Sequence, residues 1–129
     1  MHDCGCNYLQ ACLLLLIAER PDHGYDLATR LAGCGLEMVD PPSTYRALRT
    51  LERECLVASE WAPSAGGPAR RVYRLTTAGE AALLAFGDEL RRDRVRMARY
   101  LRRLETTLAA RRRAAEPAPQ RTSAAGSAR

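Results

Sequence analysis

The chain has 129 residues, enough for one domain and a tail, and 47% of them are hydrophobic, so an ordinary core can form. Twenty basic residues, every one an Arg, against fifteen acidic ones give a formal charge of +5, which suits a polyanionic partner, and the Arg is dense around residues 46–53, 70–74 and 91–113. Five cysteines without a leader pattern ahead of them, and an apolar run over residues 11–18 too short to span a bilayer, give the expectation of a cytoplasmic chain with reduced thiols and no membrane partner.

Residues 1–6 read as a short flexible tail. Leu9, Leu13, Leu16 and Ile17 recur at helical spacing and Leu14 and Leu15 widen the stripe, which predicts a first helix over residues 8–19, buried on much of its girth and stopped by Pro21. Asp22 is the candidate N-cap of a second helix with Tyr25, Leu27, Ala28 and Leu31 on its buried side and Gly33 and Gly35 at its end. After a connector over residues 36–39, Asp40 and Pro41 open a third helix, running to about Arg53, as N-cap and first helical residue. Its apolar stripe is Ala47, Leu48 and Leu51; Ser43, Thr44, Arg46, Arg49 and Arg53 fall mostly off it.

The period then changes. Residues 56–61 are strand-like, residues 63–68 are a turn by composition, and residues 70–76 alternate, so a β-hairpin with arginines at its mouth is expected. Thr77 and Glu80 have capping-box spacing and open a long helix. Leu83, Phe86, Leu90, Met97, Tyr100 or Leu101, Leu104 and Leu108 step by three, four and seven, a heptad seam interrupted near Asp93 and Arg94. A helix this long cannot be covered by its own small domain, and the simplest partner is a second copy. From Arg111 on the composition is Ala, Arg, Pro, Ser and Gly, which predicts disorder.

Three helices, a two-stranded wing and a seam-bearing helix are the order of a winged helix-turn-helix. The expected fold is mainly α with a small β-hairpin: tail 1–6, winged-helix DNA-binding domain 7–76, C-terminal dimerisation helix 77–112 and disordered tail 113–129. The third helix would enter a major groove of double-stranded DNA, the wing would meet phosphates, and a homodimer would set two readers at the spacing of a pseudo-palindromic operator. Candidate DNA contacts are Tyr25, Ser43, Thr44, Tyr45, Arg46, Arg49, Arg70 and Arg71. Candidate dimerisation residues are Leu83, Phe86, Leu90, Met97, Leu101 and Leu104. Strand alternation puts Arg70, Val72 and Arg74 on one face and Arg71, Tyr73 and Leu75 on the other, so the wing arginines cannot all meet DNA together.

The segment Leu14-Leu15-Leu16-Ile17-Ala18-Glu19-Arg20-Pro21-Asp22-His23-Gly24-Tyr25-Asp26-Leu27 resembles the first-to-second-helix region of the PadR family of transcriptional regulators. So do Tyr45-Arg46-Ala47-Leu48-Arg49-Thr50-Leu51-Glu52 and Arg71-Val72-Tyr73-Arg74-Leu75-Thr76-Thr77-Ala78-Gly79, and the likeness covers roughly residues 7 to 105. Asn7-Tyr8-Leu9-Gln10-Ala11-Cys12 resembles the subgroup called polyhydroxybutyrate-responsive repressors. The resemblance implies a dimeric winged-helix repressor without enzymatic activity. It implies signature tyrosines at Tyr25 and Tyr45 near the DNA-facing surface, and an effector between the long helix and the first helix, at or near the dimer interface. One departure stands out: the family usually has Gly after the Glu that ends the recognition helix, and here it is Cys55.

No glycine-rich phosphate loop, nucleophile elbow, paired-carboxylate signature or Cys-x-x-Cys is present, so neither catalysis nor a cofactor or metal is expected. His23 reads as a capping or packing histidine, with a phosphate donor or pH-sensitive group as the alternative. Cys12 reads as a small buried hydrophobe. Trp61 reads as packing against the hairpin. Two other readings stay open: a winged-helix protein-interaction module, and a regulator sensing thiol oxidation or metal through Cys4 and Cys6, with Cys55 beside Arg53 a further thiol candidate.

Overall fold

In the computed structural model residues 4–117 are described, and the chain divides into two compact units between Leu90 and Arg91. The first helix, α1 (Cys4–Glu19), starts inside the stretch expected to be a tail. Its Ala11, Cys12, Leu13, Leu14, Leu16 and Ile17 are buried and Leu15 is not, which leaves one exposed stripe on an otherwise wrapped helix. Residues 1–3 and 118–129, and with them most of the expected tails, lie outside the described residues, as do the side chains of Cys4 and Cys6.

Asp22 does not cap the second helix. Asp22–His23 is a two-residue strand, β1, and the N-cap of α2 (Gly24–Arg30) is His23, whose side chain makes no capping bond. A 3₁₀ turn, Leu31–Cys34, continues α2 and ends at Gly35, whose φ of 78° reverses the chain. The end of α1 is held by Arg30, which donates to the Leu16 carbonyl at 2.9 Å and to Asp22 at 3.2 Å and so supplies a cation to the negative end of that helix.

The third helix, α3 (Pro41–Arg53), starts as its sequence predicts: the Ser43 backbone N–H donates to Asp40 Oδ1 at 2.7 Å and Pro41 stands at the first helical position. Its buried side is Thr44, Ala47, Leu48 and Leu51. Strands β2 (Val57–Ser64) and β3 (Gly67–Leu75) pair antiparallel, from Val57 opposite Leu75 to Ser64 opposite Gly67, around a turn shorter than the Pro- and Gly-rich composition suggests. Because β1 pairs with the outer side of β3, with His23 opposite Val72, the wing is a three-stranded sheet in the order β1-β3-β2 rather than a bare hairpin.

The cap of the last helix, α4 (Thr77–Ala115), is one residue earlier than the Thr77 spacing suggests. Thr76 Oγ1 accepts from the Gly79 N–H at 3.0 Å and donates to the Cys55 carbonyl at 2.7 Å, so one hydroxyl joins the start of α4 to the end of α3. At Gly79 a Cβ would stand 2.0 Å from the Leu56 carbonyl oxygen, so only glycine permits this approach. The first unit's core comprises α1, α2, α3, Val57 and Tyr73, with Ala82, Leu83 and Phe86 of α4 packed on it. The first compact unit, which ends at Leu90, thus includes the start of α4. In the second unit α4 continues to Ala115, past residue 112, and Met97, Leu101 and Leu108 are exposed along it, with Leu104 half-buried. Arg96 pairs with Asp93 where the seam is interrupted.

Candidate nucleic-acid interface

The outward face of α3 is the side the core does not use. At about 100° per residue, Arg46, Arg49 and Arg53 lie opposite Leu48 and Leu51, and all three are exposed. Tyr45 leans toward the wing and Ser43 toward the other flank, where a groove of about 360 Å³ is lined by Leu9, Met38, Ser43, Arg46 and neighbouring residues. Thr44 is the exception among the candidates. It is 0% exposed, and its hydroxyl faces the Asp40 carbonyl at 3.3 Å. Thr44 stands one turn ahead of Leu48 and two ahead of Leu51, so it shares their buried face and cannot reach DNA from there.

Between α3 and the wing is a groove of about 490 Å³ lined by His23, Gly24, Tyr25, Asp26, Tyr45, Arg70, Arg71 and Tyr73. Four of the eight candidate DNA contacts are brought together there. Tyr25 is 70% exposed at the start of α2. The Tyr45 ring lies against Gly24, where a Cβ would come within 2.5 Å of Cε1; a larger residue at 24 would push the ring out of the groove. Tyr73 forms the buried wall, and burial pushes its hydroxyl pKa up, keeping it a neutral donor. The Asp40 carboxyl is held below the usual carboxylate range by the hydrogen bonds it accepts from Ser43, so the cap is charged at neutral pH.

The two wing arginines differ. Arg71 Nε donates to Ser59 Oγ at 2.5 Å, its Nη2 lies 3.4 Å from Glu52 Oε1, and its guanidinium lies 5.5 Å from the Trp61 ring centroid. Ser59 donates to the same Glu52 oxygen. This set ties the wing to the last turns of α3. Arg70 Nη1 is 3.2 Å from His23 Nε2, which also faces Asp26 Oδ2 at 3.1 Å. Arg74 pairs with Glu60 at 3.4 Å. Trp61 packs on the hairpin through the Arg71 side chain of the facing strand, while two thirds of its surface, 66%, stays exposed.

The brace of Glu52, Ser59, Trp61 and Arg71 escapes a reading of the sequence by elements, because it depends on register: Trp61 lies opposite Arg71 and Ser59 opposite Tyr73. Donor atoms of Asp22, His23 and Asp26 lie within 4.8 Å of one another, a spacing a cation could use. Arg20 and Arg30 pair with Asp22, and Arg70 approaches His23, so positive charge already meets these groups and the cluster reads as an ion-pair network.

A three-helix unit with a braced wing and an arginine face on its third helix defines a winged helix-turn-helix protein of the DNA-binding class. The profile of the transcriptional regulator PadR-like family matches residues 13–85. The structure is similar to that of a PadR-like transcriptional regulator from Bacillus cereus, 28% identical, with a TM-score of 0.65 over 72% of this chain and 90% of that one. A PadR family transcription regulator from Clostridium difficile (23% identical, TM-score 0.66, 73% and 98% covered) and a transcriptional regulator from Streptococcus (22%, 0.67, 79% and 99%) share the fold. No curated protein sequence matches the chain. The chain belongs to the PadR-like family of transcriptional regulators, and a family of DNA-binding regulators is not one of enzymes. No described helix is long and apolar enough to cross a membrane.

Proposed function

We propose that the chain is a homodimeric repressor that binds a pseudo-palindromic operator through the outer face of α3 and leaves it when a small-molecule effector binds. The single observation that carries this reading is the division of α3 into a fully buried side and an exposed side of Arg46, Arg49 and Arg53. Arginine is the commonest reader of guanine in the major groove. Tyr25, Tyr45 and Arg70, lining the adjoining groove, would meet the sugar–phosphate backbone, and Ser43 would do so from the other flank. Arg71 would hold the wing's angle while its exposed side faces phosphate.

The dimer rests on α4. Met97, Leu101 and Leu108 are uncovered at three- and four-residue steps with Leu104 between them, and Leu90, in the first unit, is exposed as well. Leu83 and Phe86 give part of their surface to their own core and would add only what is left. An apolar or aromatic effector near the dimer interface would act by shifting the population of two recognition-helix spacings. The likeness of residues 7–12 to polyhydroxybutyrate-responsive repressors leaves that effector's chemistry open. The site of action would be the cytoplasm.

Selection of binding sites from random duplex DNA tests this reading. The expected result is an inverted repeat with half-site centres about one helical turn, or a multiple of it, apart, together with a dimer mass in native mass spectrometry. A selected site without two-fold symmetry, or a monomer at the concentrations that bind, would exclude the dimeric reader. Binding to an acidic protein with no selection from DNA would point to the interaction-module alternative.

A further inference from the structure

Trp61, the chain's single tryptophan, stands mostly exposed on the wing. A ring of that size ordinarily gives most of its surface to a core or an interface. Here it carries the Arg71 guanidinium, 5.5 Å from its centroid. One guanidinium covers one face of an indole, and the other face is open. Arg71 is tied to Ser59 and Glu52 independently of the ring, so the ring is not needed to place it.

The register fixes where the ring stands. Trp61 lies opposite Arg71, Ser59 opposite Tyr73 and Val57 opposite Leu75, so these side chains share one face of the sheet, the one that packs on the core. Going outward along β2 on that face, Val57 is buried in the core with Leu48 and Leu51, Ser59 meets Glu52, and Trp61 comes next. Around α3, Leu48, Glu52 and Arg49 follow one another in steps of about 40–60°. The strand thus climbs the flank of α3 from its buried side toward its arginine side, and Trp61 stands level with Arg49. Arg71, on the next strand, lines the groove with Tyr25, Tyr45 and Arg70.

We infer that Trp61 is a further DNA-binding residue, which lays its open face on a deoxyribose of the backbone while Arg71 covers the other face. This contact rests on the reading of α3 as the DNA-facing helix and extends the same surface along the wing. A nucleic-acid backbone alternates phosphates with largely apolar sugars, and this surface sets an aromatic plane among the guanidinium groups of Arg49, Arg70 and Arg71. A ring on a sugar displaces no counterion, so it adds affinity without adding to the salt slope. It also reads no base, so it leaves the selected sequence as it is.

Because the chain has one tryptophan, the contact can be observed directly. Acrylamide quenching of its fluorescence is measured on the full-length chain, free and with a saturating duplex carrying the selected site. Anisotropy of a label on the DNA follows binding in the same samples. The ring should be freely quenched in the unbound protein and quenched several-fold less in the complex. Trp61→Ala should weaken binding about five- to tenfold, the loss from leaving one ring face's contact unmade, with the salt slope and selected sequence unchanged. Trp61→Phe should recover most of that loss. A duplex that fails to bind the wild-type chain sinks the reading of α3, and this contact with it. A duplex that binds while Trp61 stays as open to acrylamide as before overturns the Trp61 contact alone, as does wild-type affinity in Trp61→Ala. A shallower salt slope in Trp61→Ala also overturns it, because the ring would then act by placing Arg71.

Discussion

Replacing Gly79 by Ala is the sharpest test of how α4 joins the winged-helix unit. The new Cβ would lie 2.0 Å from the Leu56 carbonyl oxygen, 3.0 Å from its carbon and 2.8 Å from Leu75 Cδ1. The leucine methyl can move, but the carbonyl belongs to backbone that accepts the Thr76 N–H at 3.2 Å and follows Cys55 directly. Forcing a methyl in here costs about 1–3 kcal/mol as overpacking, and weakening the Thr76 bond adds about 0.5–1.5 kcal/mol. Alanine returns about 1 kcal/mol through helix propensity. The net expectation is a loss of about 1–3 kcal/mol. Gly33→Ala is the control, since a Cβ there meets nothing within 4 Å, and it should be neutral or slightly stabilising. Urea melts followed by circular dichroism, at one fixed protein concentration because the stability of an oligomer depends on it, give both numbers. Equal effects of the two substitutions would refute the close approach at Gly79.

Cys55 has φ 61°, the left-handed region in which glycine is at ease. Cys55→Gly should stabilise the chain by about 0.5–1 kcal/mol, the relief of that conformation less glycine's extra unfolded-state entropy, while Cys55→Ala should change little in the same melts. Asp40 is held at a lowered pKa by its bonds to Ser43, so its contribution to stability is present above the unfolded-state pKa and is lost as pH falls through the folded one. Asp40→Asn should keep the cap but remove that part of the acid dependence, which a denaturation series across the acid range reads as a converging difference between the two proteins. Arg30→Ala should cost about 1–2 kcal/mol, toward the low end for a charged donor because the Leu16 carbonyl keeps its bond from the Arg20 N–H; Arg30→Lys, with one cation but no fork, should recover part of it in the same assay.

Much of the fold was legible because local chemistry and tertiary packing agree. Asp40 and Pro41 mark the start of α3 to the residue, and the apolar spacing of Leu9 to Ile17 marks a helix wrapped by others. The sequence shows Cys55 only as a departure from the family's glycine; that the position is left-handed is seen in the backbone, at φ 61°. What could not be read lies where the deciding partner is distant. Asp22 looks like a helix cap, but pairing across to Tyr73 makes it a strand residue, and two residues carry no period. Thr77 has the capping spacing, yet Thr76 has the Cys55 carbonyl beside it and takes the role. Thr44 shows the limit of judging by residue type, since its hydroxyl is satisfied within its own helix and its position follows Leu48 and Leu51. Arg71 and Trp61 form a brace only once the hairpin register brings Ser59 and Glu52 next to them.

The salt dependence of DNA affinity tests the central claim most directly. Fluorescence anisotropy on a labelled duplex carrying the selected site, repeated over a series of salt concentrations, should give a log-linear fall in affinity. Arg46→Ala and Arg49→Ala, each with an intact fold by circular dichroism, should weaken binding by about 1–3 kcal/mol where the side chain reads a base, or make the salt slope shallower by about one where it meets a phosphate. Affinity and slope unchanged in both variants would contradict the assignment of α3 as the helix that reads DNA.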